Sequence, residues 1–280
     1  EIIRANLGKM AKHLAQEDDE SQAWKKIFRK PSSKKWSEVT AAIKVNCLGK
    51  IHPKLAIVGK LCDILIDTME ISAKNIILYD GHSNAQSKYN KYNSSHLRDV
   101  VISKRNQSLN GTTKVAIGNQ DHDASADIAN GKIDILINCA VNKGHSRWNG
   151  YATLSLKNHY GTFNPDNHSD MEYIFAINQS PAIIGGTPPR QQLCIIDSLW
   201  AAYNGPGQTP ENDINRLVMG TFAPAVDYLT IREIRQKLVK SQTGTLDTRC
   251  SKELLNSYMT NFGYRESEFA NIDFVDVSPA

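Results

Sequence analysis

The sequence lacks any apolar stretch close to the roughly 20 residues that a membrane-spanning helix needs, so we predict no membrane span. It also lacks three motifs of common enzymes. These are the Gly-x-Gly-x-x-Gly of dinucleotide sites, the phosphate-binding Gly-x-x-x-x-Gly-Lys-Ser/Thr, and the Gly-x-Ser-x-Gly nucleophile elbow. Their absence argues against a nucleotide-dependent enzyme and against a serine hydrolase.

Cysteine is scarce and widely spaced, with five residues and no Cys-x-x-Cys pair. This excludes the local spacing of a ferredoxin cluster or a zinc ribbon. Cys47 and Cys139 each follow an Asn at a predicted strand end, so the two could lie close together. They are either small buried residues, which are common in strands, or a pair with a disulfide or a shared ligand role.

The sequence also lacks a strong excess of charge of one sign, since the net charge is +4 over 280 residues. Apart from the basic cluster at positions 25–35, the basic residues are scattered along the chain. This favours neither nucleic acid nor a membrane surface as a partner. Position 1 is Glu rather than Met, and five Asn-x-Ser/Thr triplets are present. Although the odd cysteine count leans the other way, we predict an exported protein, periplasmic or extracellular.

The chain does contain apolar runs that alternate with amphipathic helices. Predicted strands cover residues 39–45, 75–79, 133–138, 194–196 and 217–219, and predicted helices cover 55–69, 227–240 and 252–262. Strand, helix and strand in this order favour parallel, right-handed units. We predict an α/β fold with a mostly parallel central sheet, helices on both faces and an irregular polar insertion.

The same patterns predict the domain organisation. Residues 1–35 form a helical lead-in, and residues 36–245 form the α/β core domain. The insertion at 84–130 is polar and irregular, and a hairpin is the one regular element expected in it. Residues 246–280 add a helix and a tail to the same domain.

The most informative stretch is 133–161, where an Ile-rich buried strand turns abruptly into polar residues. Ligands of open α/β sheets lie beyond the carboxyl ends of the strands, so this polar loop falls where a pocket is expected. Its candidate side chains are Lys143, His145, Thr153, Lys157, Asn158 and His159.

Three lysines, Lys44, Lys143 and Lys157, follow or lie near strand ends that should converge. Their ammonium groups would repel one another unless an anion stood between them. A phosphate or carboxylate ligand, oriented by the amides of Asn46 and Asn158, is the simplest consequence. Alternatively, each lysine extends to water or pairs with a carboxylate of Asp80, Asp197 or Asp227.

A second set of candidates is His145, His168 and Asp197. Two imidazoles and a carboxylate on separate loops can bind a divalent metal and leave positions open for substrate. Alternatively, His145 is a general base that Asp197 holds in one tautomer. The reserves are His52, His82 and His159.

Several short motifs occur in a recognisable order, of which the Lys143-x-His145 and Lys157-Asn158-x-x-Gly161 pairing is the specific part. The others are Ile43-Lys44-Val45-Asn46, Ile135-Leu136-Ile137-Asn138, Thr153, Ile195-Ile196-Asp197, Gly205-Pro206 and Ala223-Pro224-Ala225-Val226-Asp227. From Lys44 to Asp227 the chain resembles the family catalogued as domain of unknown function 362. Many relatives carry a ferredoxin-like domain that this chain lacks, so the resemblance implies a stand-alone form without an iron–sulfur cluster.

Two functions follow as hypotheses. In the first, the cleft binds a small anionic molecule, alone or together with a divalent metal, through Lys44, Asn46, Lys143, Thr153 and Asn158. If the protein is an enzyme, His145 and Asp197 form the acid/base pair and Lys157 stabilises developing negative charge. In the second, the chain is a structural or self-assembling interaction protein, with residues 84–130 and the N-terminal helices mediating self-association.

Overall fold

A seven-stranded, mostly parallel sheet forms the centre of the molecule in a computed structural model. Its strands are β1 (Ala41–Val45), β2 (Ile76–Tyr79), β3 (Val101–Ile102), β6 (Ile135–Gly144), β7 (Ala152–Thr153), β8 (Gln191–Ala202) and β9 (Asn212–Gly220). The structure describes residues 1–81, 85–103, 109–117, 120–145, 152–164, 171–202, 209, 212–243, 259–260, 262–269 and 274–279.

The strand order is β3-β2-β1-β6-β8-β9, with β7 pairing to β6. The first five strands of this order are parallel to one another. β9 pairs antiparallel with β8, and β7 pairs antiparallel with β6. From β1 the chain moves outward to β2 and β3, and it later returns to the other side of β1 as β6. The predicted α/β fold with a mostly parallel central sheet is confirmed.

One face of the sheet, called here the α1 face, packs against the first three helices. These are α1 (Ile2–Ala15), α2 (Glu20–Ile27) and α3 (Leu55–Asp63), which continues as a π-helical turn over Ile64–Thr68. Alternate strand residues such as Ile43, Ile137 and Ile195 meet buried residues of these helices, including Leu7, Trp24 and Leu61. The two-residue period of a strand sends every second side chain to this face.

The intervening strand residues point to the opposite face, called here the α6 face. Ala42 and Leu136 pack there with residues of α5 (Ala126–Ala129) and α6 (Met171–Gln179). Farther along the sheet, Cys194 and Ile196 pack with α7 (Ala223–Thr230) and the π-helical turn Ile231–Arg235, which continues into α8 (Gln236–Thr243). Helices therefore cover both faces, as the near-continuous apolar strands predict.

The polar segment at 84–130 is built into the fold. It contains α4 (Ala85–Tyr89), β3, and an antiparallel hairpin of β4 (Thr112–Ile117) and β5 (Gln120–Ser125). Tyr89 and Leu97 are buried in the same core as β1. The apolar run at residues 100–102 joins the central sheet as β3, and the apolar run at 115–117 is part of β4 in the hairpin.

The observed element bounds differ from the predicted ones mainly at the ends. β6, β8 and β9 are longer than predicted because their polar ends still pair within the sheet. α7 begins at Ala223, with a proline in its first turn, four residues before the predicted start. The predicted helix at 252–262 and the turn at 205–207 lie largely or wholly outside the described residues. No described helix combines the length and the apolarity that crossing a membrane requires.

The central position of β1 gives a first prediction. Ile43→Ala removes a fully buried side chain between two parallel neighbours, so we expect the free energy of unfolding to fall by about 2–5 kcal/mol. The exposed Lys114→Ala is the control, with an expected change below about 1 kcal/mol. Urea denaturation measures both. Equal, small effects would contradict the central packing of β1.

Candidate functional site

The point where the strand order reverses lies between β1 and β6. Chain segments leaving these two neighbours at their carboxyl ends run in opposite directions, and this edge, called here the crevice, is where ligands of open α/β sheets lie. Asn46 follows β1 directly, and Lys143 lies near the end of β6. The two side chains meet across the crevice in a hydrogen bond of 2.6 Å.

Lys44 lies on β1 and is fully buried on the α6 face. Its Nζ donates to Asp80 Oδ1 and Asn158 Oδ1, both at 3.2 Å, and to the Val45 carbonyl at 2.8 Å. Asp80 directly follows β2, and its Oδ2 accepts a hydrogen bond from the Cys47 N–H at 2.7 Å. The Lys44 ammonium is thus paired with a buried carboxylate and has three acceptors.

Lys143 is 1% exposed, and its ammonium is held differently. Nζ donates to Asn46 Oδ1 and to the Leu48 carbonyl, which are both neutral acceptors. Burial lowers the pKa of this ammonium to about 8, with Asp80 opposing and Lys44 adding to the shift. Among the residues that the structure describes, no carboxylate forms an ion pair with Lys143.

Thr153 lies directly opposite Lys143 in the antiparallel β6–β7 pair. Directly opposed residues project from the same face with Cβ atoms about 5 Å apart. The Thr153 hydroxyl is buried and has no hydrogen-bond partner within the described part of the chain. Lys143 and Thr153 are therefore paired residues of β6 and β7, one with a buried ammonium and the other with a buried hydroxyl.

Asn158 links the loop after β7 to the strands beneath it. Its Nδ2 donates to Asn138 Oδ1 at 2.8 Å, while Asn138 Nδ2 donates to the Ser155 carbonyl at 2.8 Å and to Gln191 Oε1 at 2.9 Å. His159 Nε2 lies 2.7 Å from Gln191 Oε1, and burial lowers the pKa of this imidazole to about 3. A neutral His159 therefore belongs to a structural network at physiological pH.

Two of these network residues, Asn138 and Gln191, were not among the predicted site residues. Asn138 could have been predicted, because it ends the apolar run Ile135-Leu136-Ile137 and a buried amide needs hydrogen-bond partners. Gln191 gives no comparable signal, since its neighbours in sequence are polar.

Asp227, on α7, fixes the start of the same loop. Its Oδ1 accepts from the Ser155 N–H at 2.9 Å and from the Ser155 hydroxyl, and its Oδ2 accepts from the Leu156 N–H at 2.9 Å. Burial raises the pKa of this carboxyl to about 7. We also considered that Asp227 pairs with a lysine. In the described part of the chain, its carboxylate instead bonds to Ser155 and Leu156.

Lys157 follows immediately in the loop and is 4% exposed. Its Nζ has no hydrogen-bond partner in the described ranges, and it lies 5.6 Å from the centre of the Tyr160 ring. Burial lowers the pKa of this amine to about 7 and is the single cause, so Lys157 lies apart from the charges around Lys143.

Asp197 is on β8, with Leu193 and Ile195 preceding it on the α1 face. Its Oδ2 accepts from the Lys54 N–H at 2.8 Å, at the start of α3, and its Oδ1 accepts from the Leu199 N–H at 3.1 Å. Burial raises the pKa of this carboxyl. Asp197 therefore holds the first turn of α3, on the face opposite Lys44.

Of the two histidines in the predicted metal set, the structure describes His145. His145 is buried directly after β6. His168 and the reserve His82 lie outside the described residues. Within the described ranges, no group of three or more His, Cys, Asp or Glu side chains is arranged to hold a metal ion.

Cys47, Cys62, Cys139 and Cys194 are buried free thiols. Cys139 lies opposite Val45 in the β1–β6 pair, and Val45 precedes Cys47 by two residues. Burial and the Asp80 carboxylate raise the pKa of the Cys47 thiol to about 12, so it stays protonated at neutral pH. Cys250 lies outside the described residues.

The contacts of Asp227 give a prediction for pH. Its pKa in the folded protein, about 7, lies above the value of roughly 3.9 in an unfolded chain, so the folded state binds more protons between these values. Its contribution to stability is present at pH 4 and is lost as pH rises through 7. We expect Asp227→Asn to remove this pH-dependent contribution. The measurement is the difference in the free energy of unfolding between the variant and the wild type, from urea denaturation at pH 4, 5.5 and 7. A difference that is constant with pH would contradict the burial of an ionisable carboxyl at this point.

The comparisons with known proteins place this site within a family. No curated protein and no solved structure gives a significant match. The model of the family described as "Domain of unknown function (DUF362)" matches residues 41–232, which begin at β1 and end just after α7. The match includes Lys44, Asn46, Lys143, Thr153, Lys157, Asn158 and Asp227 and covers more than half of the sequence. The chain belongs to the DUF362 family.

Proposed function

We propose that the protein binds a small molecule bearing a carboxylate or phosphate in the crevice between β1 and β6. The observation that carries the proposal is the buried Lys143 ammonium at the reversal of strand order, whose acceptors among the described residues are neutral oxygens. The ligand would lie between Lys143, Asn46 and Thr153.

The charge balance of the buried groups supports an anion. Asp80 already neutralises Lys44, so one carboxylate stands against two neighbouring ammonium groups. An uncompensated buried charge is unfavourable by several kcal/mol, and a bound anion would remove that cost. The same anion would raise the pKa of Lys143 back toward its ordinary value.

The neutral groups in the crevice suit an oxygen-rich ligand. Since Asn46 uses its Oδ1 to accept from Lys143, the other end of this amide is a donor that can orient a bound oxygen. The Thr153 hydroxyl supplies a second donor from the facing strand. Asn158 acts through Lys44, because its own amide is bonded to Lys44 and Asn138.

For catalysis, the proposal gives His145 the role of acid or base, with Asp197 as its partner. Asp197 lies opposite Val141 on the neighbouring strand, and Val141 precedes His145 by four residues in the chain. A divalent metal, if one binds, would use His145, Asp197 and His168. Mg²⁺ and Zn²⁺ added to the ligand screen below test this part.

Ligand binding is tested by thermal unfolding with phosphate, citrate and oxalate. A ligand at about 100 times its Kd stabilises the folded state by about 2.7 kcal/mol, which raises Tm by roughly 5 °C or more for a chain of this size. We expect Lys143→Met to abolish this rise and Thr153→Val to reduce it. We also expect the rise to diminish above pH 8 as the Lys143 ammonium loses its proton.

The control for this experiment is Lys114→Met, which removes an exposed lysine of the β4–β5 hairpin. Its ligand-induced rise in Tm should equal that of the wild type. The proposal fails if no anion stabilises the wild type, or if the two lysine variants respond alike.

Self-association is the second candidate function, and one surface favours it. Within the described residues β9 pairs only with β8, so one edge of β9 is open. A groove of about 1600 Å³ runs along it, between α1, α8 and residues 274–279. Trp200, 41% exposed, and the exposed Ile2, Phe274 and Val275 line this groove. Open edges and exposed apolar patches are surfaces on which chains associate.

Sedimentation velocity tests this candidate. We expect the wild type to sediment as a dimer and Trp200→Ser to shift it to the monomer, because the substitution removes the aromatic group from the groove. Leu48→Ser, an exposed apolar residue at the crevice, serves as the control and should leave the dimer intact. A wild type that remains monomeric at its highest soluble concentration would eliminate this candidate.

A further inference from the structure

Hydrogen bonds hold the residues on both sides of Lys157, whose amine has no hydrogen-bond partner within the described residues. The preceding residue, Leu156, donates its N–H to Asp227 and its carbonyl accepts from Asn178 Nδ2 at 2.9 Å. The following residue, Asn158, is bonded to Lys44 and Asn138. The amine therefore projects from a fixed point, as catalytic side chains do when their support is preorganised.

An aromatic ring lies beside the amine. The Tyr160 ring lies 5.6 Å from Nζ and stacks on Tyr173, with 6.1 Å between centroids and 24° between planes. Tyr173 in turn contacts His122 of the hairpin at 4.6 Å between ring centroids. No ion pair with a carboxylate is recorded for Lys157 in the part of the chain that the structure describes.

An amine in such a place reacts differently from a surface lysine. The surface ammonium is protonated and hydrated, whereas desolvation favours the neutral amine, whose lone pair is a nucleophile. With the Lys157 pKa lowered to about 7, a large part of the amine is neutral at pH 7. Lysines that form imines with carbonyl compounds are activated in this way.

We propose that Lys157 is a second, reactive site, at which its amine forms an imine with an aldehyde or ketone carrying an aromatic or apolar group. The Nζ lone pair attacks the carbonyl carbon to give a carbinolamine. The two amine hydrogens then leave with the carbonyl oxygen as water, and a C=N bond to Nζ remains. The site goes beyond the proposed anion binding because it uses none of Lys143, Asn46 or Thr153.

Reductive trapping of the native protein tests the site. Benzaldehyde or propanal is added with sodium cyanoborohydride at pH 7, where hydride reduces the imine to a stable secondary amine, and labelled lysines are quantified by peptide mass spectrometry. An ordinary lysine, with a pKa of about 10.4, has roughly a thousandfold less neutral amine at this pH. We expect Lys157 to be labelled at least tenfold faster than the exposed Lys25, with benzaldehyde preferred over propanal.

Two variants and a denatured sample complete the test. Lys157→Met should lose the fast label and keep or raise Tm, because it removes an unpartnered buried amine, while Lys25→Arg should keep the fast label. Unfolding in urea should make the labelling rates of all lysines similar. If native Lys157 is labelled no faster than Lys25, the proposal is wrong. Equal labelling by the two aldehydes would overturn the aromatic preference.

Discussion

The buried ion pair of Lys44 and Asp80 is the interaction on which the rest of the site depends. It joins β1 to the end of β2, and through Asn158 it joins both to the loop after β7. Buried charges persist only when their remaining donors and acceptors are satisfied, and here the backbone of Val45 and Cys47 completes both groups. Because the pair spans three segments that are distant in sequence, it fixes the geometry of the crevice before any ligand enters.

The same pair determines what the crevice can bind. With Asp80 committed to Lys44 and to the Cys47 N–H, the neighbouring Lys143 is left with an amide and a carbonyl. Asp197 and Asp227 do not correct this balance, because each uses both oxygens on backbone N–H groups that position a helix or a loop. Among the described residues, the charge balance around Lys143 is therefore set by contacts between segments that are distant in sequence.

Much of this arrangement could be predicted from the sequence. Apolar runs located β1, β2 and the first part of β6, and parallel pairing then required Lys44, Asn46 and Lys143 to approach one another. The role of Asp197 could not be predicted, because it depends on α3 beginning beside β8, a contact over 143 residues. The anchoring of Ser155 by Asp227 likewise depends on a contact over 72 residues. Sequence periodicity describes one element at a time, whereas these roles are set by where two elements meet.

Three lysines that look equivalent in the sequence differ in what surrounds their amines. Lys44 meets a carboxylate, Lys143 meets neutral oxygens, and Lys157 meets an aromatic ring. Burial lowers the pKa of both Lys143 and Lys157, but the groups that contact the two amines differ. Lys44 is part of a buried ion pair, Lys143 is the amine proposed to bind an anion, and Lys157 is the amine proposed to react with a carbonyl compound. The two proposals therefore assign anion binding and reactivity to different amines, Lys143 and Lys157.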